Sequence, residues 1–234
     1  MPGKYAPVNP VALSTTRTCP NVSSSSDPIL SATVGTNAEL MEQIAALWIA
    51  PGDVVVDTTF GRGAFWKNLS DLPTHSHDIK DDGVDCRSLP YENGTVDVVV
   101  VDPPYRPTHG SKGFSTGGNG LAKAYQLGTS PLDSINDVIE LYRGALTEAF
   151  RVARPSTGRV LVKTQDLSYG HRLHLVSWDV LRVMTEVGFE FADQFILVNK
   201  HRLTSGAWKK QERARRSHSV MWIGIKEQAT KESQ

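Results

Sequence analysis

Apolar residues along this chain follow two rhythms. In some places they run nearly uninterrupted and are rich in β-branched residues: Val54-Val55-Val56, Val96-Asp97-Val98-Val99-Val100-Val101 and the stretch from Arg159 to Thr164. Runs this short predict strands buried on both faces of a parallel sheet. Elsewhere apolar positions recur every three or four residues, the spacing of a helix with one buried face. Asn37 can cap a helix carrying Leu40, Met41, Ile44, Leu47 and Trp48 on one side, ended by Pro51-Gly52. Asp133 or Ser134 can cap a second, with Ile135, Val138, Ile139, Tyr142, Leu146, Ala149 and Phe150 in phase, closed by Pro155 and Gly158. A third passes through Val176, Val180, Leu181, Met184 and Val187 and stops at Gly188. Residues 74–77, a short stretch before Asp85, 195–199 and 219–225 supply further strands. Strands alternating with helices in this order predict an α/β domain.

The pattern fades at both ends and once in the middle. Residues 1–35 are rich in Pro, Ser and Thr, including Ser23-Ser24-Ser25-Ser26, and predict a loosely ordered arm. Residues 36–226 make the α/β domain, and 227–234 a polar tail. Residues 106–129 are glycine-rich without periodicity. A loop of that length inside a compact domain usually has a function, here as a lid or clamp beside a pocket.

Candidate chemistry sits where two of the strands end. Val98–Val101 runs straight into Asp102-Pro103-Pro104-Tyr105. In open parallel sheets the carboxyl ends of the strands form the ligand crevice. Two prolines stiffen the turn and remove two amide donors. Asp102 then offers an acceptor and Tyr105 a flat face with a polar tip. Together they suit a planar ring with an exocyclic amine, stacked on Tyr105 and donating to Asp102 and to the Pro103 carbonyl. Upstream, Val54-Val55-Val56 runs into Asp57-Thr58-Thr59-Phe60-Gly61-Arg62-Gly63, whose glycines permit a tight turn and close ligand approach. An acid after the second strand, Asp78, stands where a ribose hydroxyl is held in such folds.

These two segments resemble those of amino-methyltransferases that use S-adenosylmethionine, and more narrowly of DNA adenine-N6 methyltransferases. The resemblance implies a Rossmann-like three-layer α/β/α methyltransferase fold, with a mostly parallel seven-stranded sheet whose last strand is antiparallel. It implies a cofactor site of Asp57, Thr58, Phe60, Gly61, Gly63, Asp78, Asp85 and Asp102, with Asp85 near the cofactor's adenine amine. It implies a base pocket of Asp102, Pro103, Pro104 and Tyr105. Reaching that pocket requires a duplex adenine to flip out. Three other readings fit the same residues: an RNA methyltransferase acting on guanine N2 or adenine, cytosine N4 as the target, and a non-catalytic nucleic-acid-binding subunit with a degenerate cofactor site.

Composition narrows the partners. The chain has 234 residues and equal numbers of basic and acidic side chains, 25 of each. Zero net charge argues against indiscriminate polyanion binding, so a nucleic-acid partner needs a local basic patch. Residues 200–216 provide one: Lys200, Arg202, Lys209, Lys210, Arg213, Arg215 and Arg216 with a single acid, Glu212, and with Trp208 among them. The cations can neutralise phosphates and Trp208 can stack on a base. DNA is the expected partner, with RNA as the alternative. No large target-recognition domain is visible, which leaves target reading to a short relaxed site, a homodimer or a separate specificity partner. Cys19 and Cys86 form no disulfide framework and neither follows a proline, which excludes the Pro-Cys nucleophile of cytosine-C5 methyltransferases. The absence of an apolar signal core or membrane span makes the cytoplasm the expected compartment. His75 and His77 lack further ligands nearby, so no metal is expected.

Overall fold

The computed structural model describes residues 28–107, 132–169, 171–199, 214 and 216–227. Its elements are β1 (Ala32–Gly35), α1 (Asn37–Trp48), β2 (Val55–Asp57), β3 (His75–Ser76), β4 (Val98–Val101), α2 (Ile135–Val152), β5 (Arg159–Thr164), β6 (Leu167–Tyr169), β7 (Arg172–His174), α3 (Val176–Val187), β8 (Phe189–Asn199) and β9 (His218–Lys226). One seven-stranded sheet has the order β1-β8-β9-β5-β4-β2-β3. Every pairing in it is parallel except the two made by β9, which lies antiparallel between β5 and β8. Strands β6 and β7 form a separate hairpin after β5.

The valine runs are buried on both sides, as their lack of polar interruption requires. Val55, Val98, Val100 and Leu161 face one core with Leu40, Met41 and Ile44 of α1. Val56, Val99, Val101, Val160 and Val162 face the other, against α2 and α3. The alternation along each strand therefore splits a continuous apolar run between two cores, and the result is a Rossmann-like three-layer α/β/α sandwich. Both Thr36 and Ser134 make capping boxes, with Glu39 and Asp137 respectively. Gly188 ends α3 at φ 114° in the left-handed region.

Three expectations about the strands are corrected. The last four residues assigned to the arm form β1, which adds to the open edge of β8 in parallel register. The strand expected at 195–199 begins at Phe189, directly after the α3 cap. No strand directly precedes Asp85 among the described residues. There the Asp82 carboxylate accepts from the Asp78 and Val84 amides, giving the backbone a local partner in place of a ladder. The seventh strand thus comes from the N-terminal side. No described helix is long and apolar enough to cross a membrane.

Candidate active site

Strands β2 and β4 are parallel neighbours, with Asp57 paired to Val100. This register brings the glycine loop and the Asp-Pro-Pro-Tyr turn out at the same end of the sheet. Thr59 ties them together: the Asp102 N–H donates to its Oγ1 at 2.8 Å. Thr58 adds a second tie, its N–H and its hydroxyl both donating to the Val100 carbonyl. The two motifs are therefore one rigid unit.

Within that unit the expected cofactor residues separate into two groups. Asp57 and Thr58 have no exposed surface. Asp57 accepts from the Trp66 indole N–H at 2.7 Å and from the Thr59 amide at 2.9 Å. Burial pushes its carboxyl up to about 7, with the negative charge of Asp102 adding to the rise against the two hydrogen bonds. Both side chains brace the loop from beneath, with no exposed surface of their own. Gly61 and Gly63 have φ of 54° and 65°. Beside Gly61 the nearest atom to a would-be Cβ is 3.9 Å away, so the backbone there is open to a ligand. Gly63 is covered by the Phe60 ring, 2.8 Å from where a Cβ would stand. Gly63→Ala should combine that clash with a left-handed backbone cost of about 1–2 kcal/mol, read as a lower melting temperature.

Asp78 holds the loop from the side. Its Oδ2 accepts from the Gly61 amide at 3.1 Å and its Oδ1 from the Lys80 amide at 2.9 Å. A carboxylate has about four acceptor positions, so Asp78, 7% exposed, keeps acceptor capacity beyond these two bonds. Asp85 is differently engaged. Both its oxygens are held by the Arg87 guanidinium, Oδ2 at 2.6 Å, and its carboxyl lies below the ordinary range; burial opposes that shift and the Arg87 hydrogen bonds outweigh it. Next to Asp78, His77 lies between the Asp82 carboxylate at 2.6 Å and the Tyr91 hydroxyl at 2.7 Å. No group of three or more metal-ligating side chains occurs among the described residues.

At the pocket, Asp102 and Tyr105 are half-buried and Pro103 is buried. One Asp102 oxygen, Oδ2, is 3.3 Å from the Lys163 ammonium. The other, Oδ1, is buried and has no hydrogen-bond partner among the described residues. Burial raises the Asp102 carboxyl above its ordinary value, and Lys163 opposes the rise. Tyr105 packs against the core under α2. Asp166 caps the next helix: its Oδ1 accepts from the Ser177 amide and hydroxyl at the start of α3. Sequence reasoning missed Trp66 and Thr59. The signal for Lys163 was visible as a lysine ending a buried apolar strand. Of the basic patch, Lys200, Arg202, Trp208, Lys209, Lys210, Arg213 and Arg215 lie outside the described residues, and Arg216 is half-buried before β9.

No family model matches the chain, and no curated protein matches it. Several solved structures are similar. A candidate DNA modification methylase from Thermus thermophilus, complexed with S-adenosyl-L-methionine, shares 17% identity over 64% of this chain and 56% of its own, with a TM-score of 0.41. The PvuII DNA methyltransferase, cytosine-N4-specific, shares 16% over 61% of this chain and 47% of its own, at 0.45. An S-adenosylmethionine-dependent methyltransferase from Thermotoga maritima shares 14% over 82% of this chain and 89% of its own, at 0.45. The chain thus spans about half the length of the first two. Fold likeness at this level leaves function to the residues of the site.

Proposed function

We propose that this chain is an S-adenosylmethionine-dependent methyltransferase that modifies an exocyclic amine of a nucleobase, adenine N6 in DNA being the first substrate to test. The observation that carries the reading is Asp102 Oδ1: a buried carboxylate oxygen without a partner among the described residues, in a rigid Pro-Pro turn beside Tyr105, tied through Thr59 to an open glycine loop. A buried acceptor left unmatched in the free protein calls for a donor from outside. An aromatic amine is such a donor. Its lone pair is delocalised into the ring, and accepting its hydrogens at Asp102 Oδ1 and at the Pro103 carbonyl draws the nitrogen toward tetrahedral geometry.

The cofactor, when bound, supplies an electrophilic methyl group. The chain's own part is positioning and electrostatics. Gly61 offers open backbone, Asp78 a carboxylate with spare acceptor capacity for a ribose, and Tyr105 a stacking face worth roughly 1–3 kcal/mol per base. That offsets part of the cost of flipping a base from a duplex, roughly a few kcal/mol. Asp85 is proposed to act on the cofactor only through Arg87. The basic residues between β8 and β9 are proposed as phosphate contacts, and a second copy or separate partner as the reader of the target sequence.

The test is methyl transfer from labelled cofactor to duplex DNA, single-stranded DNA and RNA in parallel, with nucleoside analysis of the products. N6-methyladenine in DNA is the expected product. N4-methylcytosine would move the target within the same chemistry, label only in RNA would move the substrate, and cofactor binding without transfer to any nucleic acid would refute the enzymatic reading.

A further inference from the structure

Lys163 has 7% of its surface exposed, at the carboxyl end of β5. A lysine this deep is rarely found without a compensating partner. Its ammonium meets Asp102 Oδ2 at 3.3 Å and lies over the face of the Phe65 ring, 5.4 Å from its centroid. The sheet register brings the pair together. Val101 is paired with Val162 across β4 and β5, so Asp102, the first residue past β4, comes out beside Lys163, which is still within β5 and paired with Met221 of β9. The buried Tyr142 hydroxyl donates to the Lys163 carbonyl at 2.7 Å and fixes this strand end. Phe65, just beyond the glycine loop in the chain, closes the other side.

We infer that Lys163 is a positioning residue for Asp102: it occupies Oδ2, sets its charge against that of the carboxylate, and leaves Oδ1 as the oxygen available to an incoming amine. The identity of that amine rests on the proposed function; the pairing of Lys163 with Asp102 does not. Without the ammonium, burial alone would favour the protonated acid, which donates a hydrogen bond where the reaction needs acceptance. Among the described residues, the groups that act electrostatically with Asp102 are Lys163 from β5, Asp57 from the end of β2 and Tyr142 from α2. Lys163 is the cation among them, and of these three it alone favours the ionised form. Asp57 acts in the opposite sense once it ionises.

The experiment follows the Asp102 carboxyl directly, by carbon NMR of protein labelled at aspartate Cγ, with the signal assigned by its loss in Asp102→Asn. In Lys163→Met the Asp102 midpoint should rise by about 1–3 pH units, the size of shift a neighbouring cation produces. Lys163→Arg should restore it. Lys163→Gln serves as a second neutral variant should Lys163→Met fail to fold. A midpoint unchanged in a folded neutral variant would overturn the inference. In the same variants kcat should fall at least roughly 10-fold with cofactor affinity retained, and the acid limb of the pH–rate profile should move up with the NMR midpoint. A shifted midpoint in a protein that methylates nothing leaves the positioning role standing and refutes the proposed function. Full turnover with an unmoved midpoint does the reverse.

Discussion

Asp102→Asn is expected to reduce methyl transfer by about 10²–10³-fold, the range seen when one preorganised electrostatic contact is lost at a reaction centre. Cofactor affinity should stay close to that of the unaltered protein. The reason for the split is structural. The tie between the two loops runs through the Asp102 backbone N–H to Thr59, which asparagine preserves. Its side-chain oxygen can still face Lys163, so no buried cation is left bare. What is lost is the negative charge and the second acceptor, which turns into an NH₂ pointing at the substrate's own donor. Calorimetric titration of the cofactor beside single-turnover rates separates the two effects. Retained turnover would remove Asp102 from the reaction. Tyr105→Ala should act differently, raising the KM for the nucleic acid by about 10-fold with a smaller change in kcat, since stacking contributes to binding before the chemical step.

The central strands and the turn that carries the candidate site were legible because each rests on a local signal. Uninterrupted valine runs have few structural alternatives, and β2, β4 and β5 appear where those runs lie. Two prolines after an acid fix a turn whatever surrounds them. Signals that depend on a partner were not legible. Ala32–Gly35 has no pattern of its own beyond alternation and becomes a strand because β8 offers it an edge. The segment before Asp85 has strand length but loses its amides to Asp82. The burial of Asp57 depends on Trp66, nine positions on, folding back beneath the loop. The ion pair of Lys163 depends on a crossover through α2 that puts β5 beside β4. A carboxylate at a strand end can face a ligand or brace the loop from below. Asp57 braces the loop and Asp102 is proposed to face the substrate, and only the neighbours decide which.

Asp57 is also the origin of the largest expected effect on stability. Its carboxyl has an ordinary value of 3.8 in the unfolded chain and is pushed up to about 7 in the folded one, by burial above all. Below 3.8 both states carry the proton and the stabilising contribution is complete. As pH rises from there to about 7 the folded chain keeps a proton that the unfolded chain has lost, so stability falls by about 1.4 kcal/mol per pH unit. Above about 7 both states are ionised and the loss is complete. The chain should therefore unfold at lower urea concentration at pH 8 than at pH 5, and Asp57→Asn, less stable at pH 5, should lack most of that slope. Asp102, whose carboxyl burial also raises, adds to the fall in the same direction and supplies the slope left in Asp57→Asn; Asp82 and Asp85, held below their ordinary range, work in the other direction and only when pH falls through their own lowered values, outside this window. Trp66→Phe keeps the ring packing and removes the indole donor, leaving Asp57 Oδ2 without a partner at a cost of about 1–3 kcal/mol. With that hydrogen bond gone the Asp57 carboxyl should rise further and the sloping region should extend to higher pH. Trp66→Ala adds the cavity, for a total of about 3–5 kcal/mol. Urea unfolding of the three variants at pH 5 and pH 8 checks both the size and the sign. An Asp57→Asn protein with the slope intact would mean that another group carries the titration and that Asp57 is ionised beneath the loop throughout.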